Sequence, residues 1–365
     1  CATKKMVKLD ANVLRYMTRD EFRVLTAVEM GMKNHDLVPT PLIIRIAGLK
    51  KGGGRKVIGL LHKNKLIVHE NKAYDGFRLT YLGYDYLALK TFVARNQLAG
   101  IGRKIGIGKE SDIYECIDNE GVERVLKVHR LGRICFRSVK SKRDYLGKRN
   151  HASFLYMARL SAVREFAYMK ALYDHGFPTP VPIDQNRHCV LMSKVNAFPF
   201  GNIKELINPH IVYSNLMNII VRLAEHGLIH CDFNEFNLMI STDGVVTMID
   251  FPQMISTNHV NAKFYFDRDV QCVKDYFRRK FHFCSEDSPA FQVDTETIIS
   301  LDKELVASGH KVQQQEQEHY EEYLNLKAEH SLENREEEDD EDDQKVQLAD
   351  GGDEVSAGHS AQEEV

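Results

Sequence analysis

Apolar positions repeat at helical spacing near the start of the chain. Thr18-Arg19-Asp20-Glu21 reads as a capping box, and behind it Phe22, Leu25, Val28 and Met32 fall on one helix face. A second short helix is expected after Pro41, and a third over about residues 55–64, entered through the turn Gly52-Gly53-Gly54. Residues 66–68 and 76–79 alternate like the strands of a hairpin, and a helix over residues 82–94 follows. Three helices closed by a hairpin make a winged helix-turn-helix.

Past residue 100 the pattern turns to strands. Residues 105–114 read as strand, glycine turn and strand, with Gly106, Gly108, Lys109, Glu110 and Ser111 in the turn. Such a turn lays backbone N–H groups over phosphates. Residues 124–128 are an apolar strand interrupted by Lys127, the placement expected of a lysine that grips α and β phosphates; an edge-strand lysine facing water is the bland alternative. Residues 160–173 have helical periodicity through Phe166, Met169 and Leu172, and Glu165 sits beside that face as the natural partner of Lys127. Residues 189–195 run from an apolar strand into a turn. This suits a hinge that bonds adenine through the backbone of Ser193 and Val195, with Met192 at the back of the pocket.

The chemistry concentrates in His230-Cys231-Asp232-Phe233-Asn234-Glu235-Phe236-Asn237 and in Met248-Ile249-Asp250-Phe251-Pro252. Phosphoryl transfer needs one carboxylate to orient the acceptor and hard oxygen ligands for magnesium on the triphosphate. Asp232 fits the first role, and Asn237 and Asp250 the second. His230 reads as a structural histidine of the catalytic loop, and Asp269 as an anchor for that loop from a following helix. The order of glycine loop, lysine, helix glutamate, HxDxxxxN and later aspartate points to a kinase-type fold.

With these motifs in place, the chain resembles the RIO-type atypical protein kinases over about residues 6–280, and specifically the second subfamily, which carries a winged helix ahead of the kinase domain. The resemblance rests on the glycine loop from Gly106 to Tyr114, the block Leu126-Lys127-Val128-His129-Arg130-Leu131-Gly132-Arg133, the catalytic segment, and the turn Ile249-Asp250-Phe251-Pro252-Gln253. It implies ATP and Mg2+ as cofactors. It also implies the precursor small ribosomal subunit (rRNA and ribosomal proteins) and other assembly factors as partners, and a role in late cytoplasmic maturation of that subunit. The metal-binding aspartate that takes up the phosphoryl group transiently in that subfamily matches Asp250, and carboxylates are competent acceptors.

Three departures from ordinary protein kinases shape the expected function. Ser111 replaces the third loop glycine. Pro252 stands near where a flexible Phe-Gly would be and locks φ. Cys231 replaces the arginine that reads a phosphorylated activation loop. No Ala-Pro-Glu-like segment follows Asp250, and the folded-looking sequence stops near Lys280, which leaves no room for peptide-docking helices. The favoured reading is therefore an ATPase-type assembly factor. A serine/threonine protein kinase that phosphorylates itself or a pre-ribosomal protein is the alternative. A small-molecule phosphotransferase is disfavoured by the winged helix, and a nucleotide-dead scaffold would require a lost ligand, whereas every ligand position is filled.

Arg55, Lys56, His62, Lys63 and Lys65 cluster on or beside the third helix, the usual groove-facing element, although winged helices also bind proteins. Between Arg130 and Arg159 nine Lys or Arg, among them Arg137, Lys140, Lys142 and Arg143, face a single acid, Asp144, which suggests a mobile loop or an RNA-contacting arm. Net charge is −3, yet residues 302–365 hold 21 acids and 5 bases, so the first 301 residues carry +13. A helix over residues 312–328 is expected before the acidic stretch, whose composition predicts disorder.

The fold class is thus α+β: an N-terminal winged helix-turn-helix, a compact bilobal kinase-like domain lacking the activation segment, and a disordered acidic tail. Its expected boundaries are 1–90 for the winged helix, 91–100 for a linker helix or connection, 101–285 for the kinase domain and 286–365 for the extension, with the lobes dividing at residue 195. Residues 1–5 precede Met6, read as the native start. Seven cysteines without a CxxC pair suggest neither a disulfide framework nor zinc, hence a reducing compartment. No apolar run is long enough to cross a bilayer, so no membrane partner is expected. The expected location is the cytoplasm, with passage through the nucleus left open.

Overall fold

Thr18 caps the first helix, α1 (Arg19–Gly31): its Oγ1 accepts from Glu21 N at 3.3 Å, and Glu21 Oε2 accepts from Thr18 N at 2.6 Å. The computed structural model describes residues 16–49, 53–71, 74–108, 110–131, 154–285, 287–291 and 299–307. Helices α2 (Thr40–Ala47) and α3 (Gly54–Lys63) pack on α1. Strands β1 (Ile67–Asn71) and β2 (Asp75–Leu79) form the wing, in register Ile67↔Leu79. The core of this winged helix joins Phe22, Leu25 and Val28 to Ile43, Ile58, Leu61 and Leu66. The capping box and the apolar face behind it fall where the sequence predicts them.

Helix α4 (Tyr81–Ala94) belongs to two cores. Tyr84, Tyr86 and Leu87 pack into the winged helix, whereas Ala88, Leu89 and Phe92 pack against Tyr114, Leu126 and Leu191 of the next sheet. One helix therefore carries the chain from one domain into the other, with every residue from Gly83 to Leu89 buried.

That sheet is antiparallel, in the order β3 (Gly100–Ile107), β4 (Ser111–Ile117), β5 (Glu123–His129), β7 (Cys189–Ser193), β6 (Pro182–Asn186). Helix α5 (Phe154–Asp174) packs on β5, β6 and β7. The second lobe is built from α6 (Pro209–Glu225) and α7 (Ala262–Phe281) around Phe200, Phe233, Phe251, Phe266 and Phe277. Short strands β8 (Phe198–Pro199), β9 (Leu228–Ile229), β10 (Leu238–Ile240), β11 (Val246–Met248) and β12 (Ile255–Ser256) present the catalytic segments at its surface.

The expectation that folded sequence stops near Lys280 is overturned. Leu301, at the start of α8 (Leu301–Ala307), is fully buried in the second-lobe core; its N–H donates to His226 O at 3.0 Å, and Asp302 accepts from Ser256 Oγ at 2.7 Å. A seven-residue helix docked through Leu301 and the partly buried Leu305 has too little periodicity to be read from sequence. Among the described residues, α7 and α8 are the only helices that follow Asp250. The acidic tail and the helix expected over residues 312–328 lie outside the described residues.

Candidate active site

Lys127 and Glu165 come from different elements, β5 and α5, and meet in the interior. Lys127 Nζ donates to Glu165 Oε1 at 2.6 Å and to Asp250 Oδ1 at 2.8 Å. Glu165 is 1% exposed and Lys127 is buried, whereas the Asp250 side chain is 38% exposed. The edge-strand alternative for Lys127 is thereby excluded. Burial alone would lower the lysine pKa, but the charges of Asp250 and Glu165 raise it well above the ordinary value. His129 Nδ1 lies 3.0 Å from Ser161 Oγ, and its Nε2 stands 2.7 Å from Glu165 Oε2 without hydrogen-bond alignment.

Asp232 sits in the loop between β9 and β10, held by amide donors. Asn234 Nδ2 donates to its Oδ1 at 2.8 Å; Asn237 Nδ2 and Gln253 Nε2 donate to its Oδ2 at 2.9 and 3.0 Å. Asn237 Nδ2 also reaches the Asp232 carbonyl at 2.9 Å, and Ile249 N donates to Asn237 O at 2.9 Å, so the Asp232–Asn237 loop and the Asp250 turn are tied together. Cys231 and Asp250 have φ of 65° and 71°, the left-handed region that non-glycine residues enter at a cost.

What holds the loop in that strained form is Asp269 on α7. Its carboxylate accepts from Cys231 N at 2.8 Å and from Phe233 N at 3.1 Å, and Arg268 donates to Cys231 O. Burial pushes Asp269 up to about 7, with the two N–H donors and Arg268 pulling the other way. His230 is buried edge-on to Phe233 and Phe251, and burial lowers its pKa, so it packs as a neutral ring beside Asp232.

The residues expected to hold the nucleotide lie in or beside the strands of the first-lobe sheet. Gly106 pairs with Ile113, Gly108 N donates to Ser111 O at 2.8 Å, and Ser111 pairs with His129. Met192 is buried opposite Val125. Ser193 N is already committed to Val181 O at 3.0 Å, and Ser193 Oγ accepts from Val181 N at 2.9 Å, so the Ser193 carbonyl is the backbone group left to serve a base. Val195 is half-buried two residues beyond β7. Lys109 lies outside the described residues.

Of the basic positions, Arg55, Lys56 and Lys63 are exposed on α3, whereas Arg137, Lys140, Lys142 and Arg143 lie outside the described residues. Arg130, counted with that basic run, is a correction: it is 8% exposed, and its guanidinium clasps Asp85 of α4 at 2.6 and 2.7 Å. A run of charges is read by composition, but burial is decided by a partner 45 positions away. Sequence reasoning also missed the contacts of Asn234 and Gln253 with Asp232. Gln253 stands in a motif already singled out, yet nothing local says where its amide points.

Two family models match the chain: one described as the RIO domain, over residues 112–290, and one described as Rio2, N-terminal, over residues 14–95. The serine/threonine-protein kinase rio2 of Dictyostelium discoideum is 56% identical over 303 residues, 83% of this chain and 58% of that protein. The chain thus spans little more than half of that relative's length. The rio2 kinase of Schizosaccharomyces pombe is 48% identical over 319 residues, 86% of this chain and 92% of that protein. Among solved structures, the Rio2 kinase–ADP/Mg2+–phosphoaspartate complex from Chaetomium thermophilum matches with a TM-score of 0.79 at 45% identity, covering 88% of this chain and 100% of that one. With both halves matched in order and the predicted kinase constellation assembled, the chain belongs to the RIO family of serine/threonine-protein kinases, in its Rio2 branch.

Proposed function

We propose that this chain is an atypical serine/threonine kinase and ATPase that uses Mg-ATP as an assembly factor in late cytoplasmic maturation of the small (40S) ribosomal subunit, with hydrolysis driving its release. One observation carries the phosphoryl-transfer reading: Lys127 joins Glu165 to Asp250 at 2.6 and 2.8 Å, beside an Asp232 that Asn237 steadies. Asn237 turns its Nδ2 to Asp232, so its Oδ1 is the atom to offer a cation. With the Asp250 carboxylate this gives the hard oxygen donors that suit magnesium. Bound there, magnesium would neutralise phosphate charge.

The protein's own groups then divide the work. Lys127, fixed by Glu165, grips the α and β phosphates. Gly106, Gly108, Lys109, Glu110 and Ser111 supply the covering turn, and Met192, the Ser193 carbonyl and Val195 the adenine pocket. Asp232 orients the attacking hydroxyl or water. In the hydrolytic cycle an oxygen of Asp250 attacks the γ-phosphorus, the bond to the β-phosphate oxygen breaks and ADP leaves. Water then cleaves the acyl phosphate and restores the carboxylate. The similar Chaetomium structure, a complex with ADP, Mg2+ and phosphoaspartate, supports this route. The exposed Arg55, Lys56 and Lys63 and the +13 charge of residues 1–301 support an RNA-rich partner bound through its backbone.

The test is release from purified precursor small subunits. ATP should free the wild type while Asp250→Ala stays bound, and a non-hydrolysable analogue should free neither; equal release by ATP and the analogue would contradict a hydrolytic switch. The names of the relatives favour a second reading, transfer to serine or threonine on the chain itself or on a pre-ribosomal protein. Stable phosphoserine on such a protein would support it.

A further inference from the structure

Asp85 lies on α4, the helix that closes the winged-helix core, yet its carboxylate is 3% exposed and faces the kinase sheet. It accepts both forks of Arg130, Nη1 at 2.6 Å and Nη2 at 2.7 Å, and His188 Nε2 lies 2.7 Å from its Oδ1. Burial alone would raise the Asp85 pKa, but Arg130 holds it below the ordinary carboxylate range, and burial lowers that of His188. His188 is therefore a neutral ring whose Nε2–H donates to Asp85, and Tyr84 stacks on it at 4.6 Å.

Arg130 reaches onward from this pair. Its Nε donates to Asp112 Oδ2 at 3.3 Å, and its backbone N–H donates to Glu110 O at 2.5 Å. Asp112 is 2% exposed and also meets Lys104 Nζ at 3.1 Å. Glu110 and Asp112 flank Ser111 on the outgoing side of the glycine turn. On the other branch, the His188 carbonyl accepts from His129 N at 2.9 Å, and His129 stands against Glu165, the partner of Lys127. Two paths thus run from one buried carboxylate of the winged helix, one to the phosphate turn and one to the Lys127–Glu165 pair.

We propose that Asp85 is a positioning residue for the nucleotide site: by fixing Arg130 and His188 it sets the phosphate turn, and it thereby couples the winged-helix domain to nucleotide binding. A bidentate buried ion pair suits this task, because neither partner tolerates losing the other and its geometry is narrow. The inference rests on the Mg-ATP reading above. A second ion pair between the same domains, Arg187 with Glu29 of α1 at 2.7 Å, supplies the control, since among the described residues Glu29 bonds Arg187 and no residue of the turn.

The experiment compares full-length wild type, Asp85→Asn and Glu29→Gln in three ways: affinity for a fluorescent ATP analogue with Mg2+, KM for ATP against kcat, and hydrogen exchange of residues 105–113 without nucleotide. Asp85→Asn should weaken the analogue about tenfold or more, raise KM more than it lowers kcat, and speed exchange in the turn, while Glu29→Gln stays within about twofold on all three. Arg130→Lys, which keeps the charge and loses the fork, should behave like Asp85→Asn and decides the matter where the latter fails to fold. If the Asp85 and Arg130 variants lose thermal stability yet bind the analogue and exchange like wild type, the pair is merely structural and the proposal is overturned. A wild type that binds no analogue would sink the Mg-ATP reading instead, and the exchange comparison would still judge the coupling.

Discussion

Gln253 donates its side-chain amide to Oδ2 of Asp232 at 3.0 Å, from the turn that follows Asp250. The Asp232 carboxylate is thus aligned from the turn after Asp250 as well as from its own loop. Gln253→Ala removes one of the amide donors fixing that carboxylate, an interaction of about 1 kcal/mol. Autophosphorylation or hydrolysis should lose roughly 3- to 10-fold in kcat with KM for ATP unchanged. A rise in KM with kcat intact would mean that Gln253 serves substrate binding.

Lys127 is shared between Glu165 and Asp250, so its loss acts on both. Lys127→Met leaves the buried Glu165 and the more exposed Asp250 without the cation they share; labelling by γ-phosphate should fall at least ~100-fold. Thermal stability should fall as well, since unpairing a buried charge costs about 3–5 kcal/mol. Glu165→Gln, which keeps the shape, should lower labelling less. Steady-state kinetics and melting on the same preparations read both effects.

Asp269 predicts a pH dependence. Its folded pKa of about 7 lies above its ordinary value of 3.8, so the folded chain binds the proton more tightly than the unfolded one. The associated stability is complete below 3.8 and lost as pH rises through 7. Asp269→Asn abolishes this titration. The melting-temperature advantage of wild type over Asp269→Asn should therefore be larger near about pH 5 than near about pH 8. A gap that stays constant across this window would contradict the assignment.

Gly83 packs α4 directly on the wing. A Cβ there would run into the Leu66 carbonyl oxygen, which is backbone and cannot swing aside. Gly83→Ala should destabilise the winged helix by roughly 2–4 kcal/mol even though alanine favours helices. A melting temperature equal to wild type would show that α4 can shift.

Much of the fold is legible from local rules. The capping box at Thr18, the hairpin around residues 67–79 and the glycine turn before Ser111 are each encoded within a few residues. The ordered set Lys127, Glu165, Asp232, Asn237 and Asp250 is legible because phosphoryl transfer demands those residue types in that sequence. Contacts fixed by tertiary closeness were not. Arg130 belongs by composition to a basic run and by structure to a buried pair with Asp85. Helix α8 docks on the core through only Leu301 and Leu305, and the directions of the Gln253 and Asn234 amides are set by a carboxylate whose position only the folded loop defines.

The central claim is that Asp250 takes the phosphoryl group in the course of ATP hydrolysis. It is tested most directly by single-turnover reaction of the full chain with γ-labelled ATP and Mg2+, quenched in acid and treated with hydroxylamine. The account predicts a transient label, lost to hydroxylamine, absent from Asp250→Ala, and followed by free phosphate. An acid-stable, hydroxylamine-resistant serine label that persists in Asp250→Ala, with no free phosphate released, would contradict it.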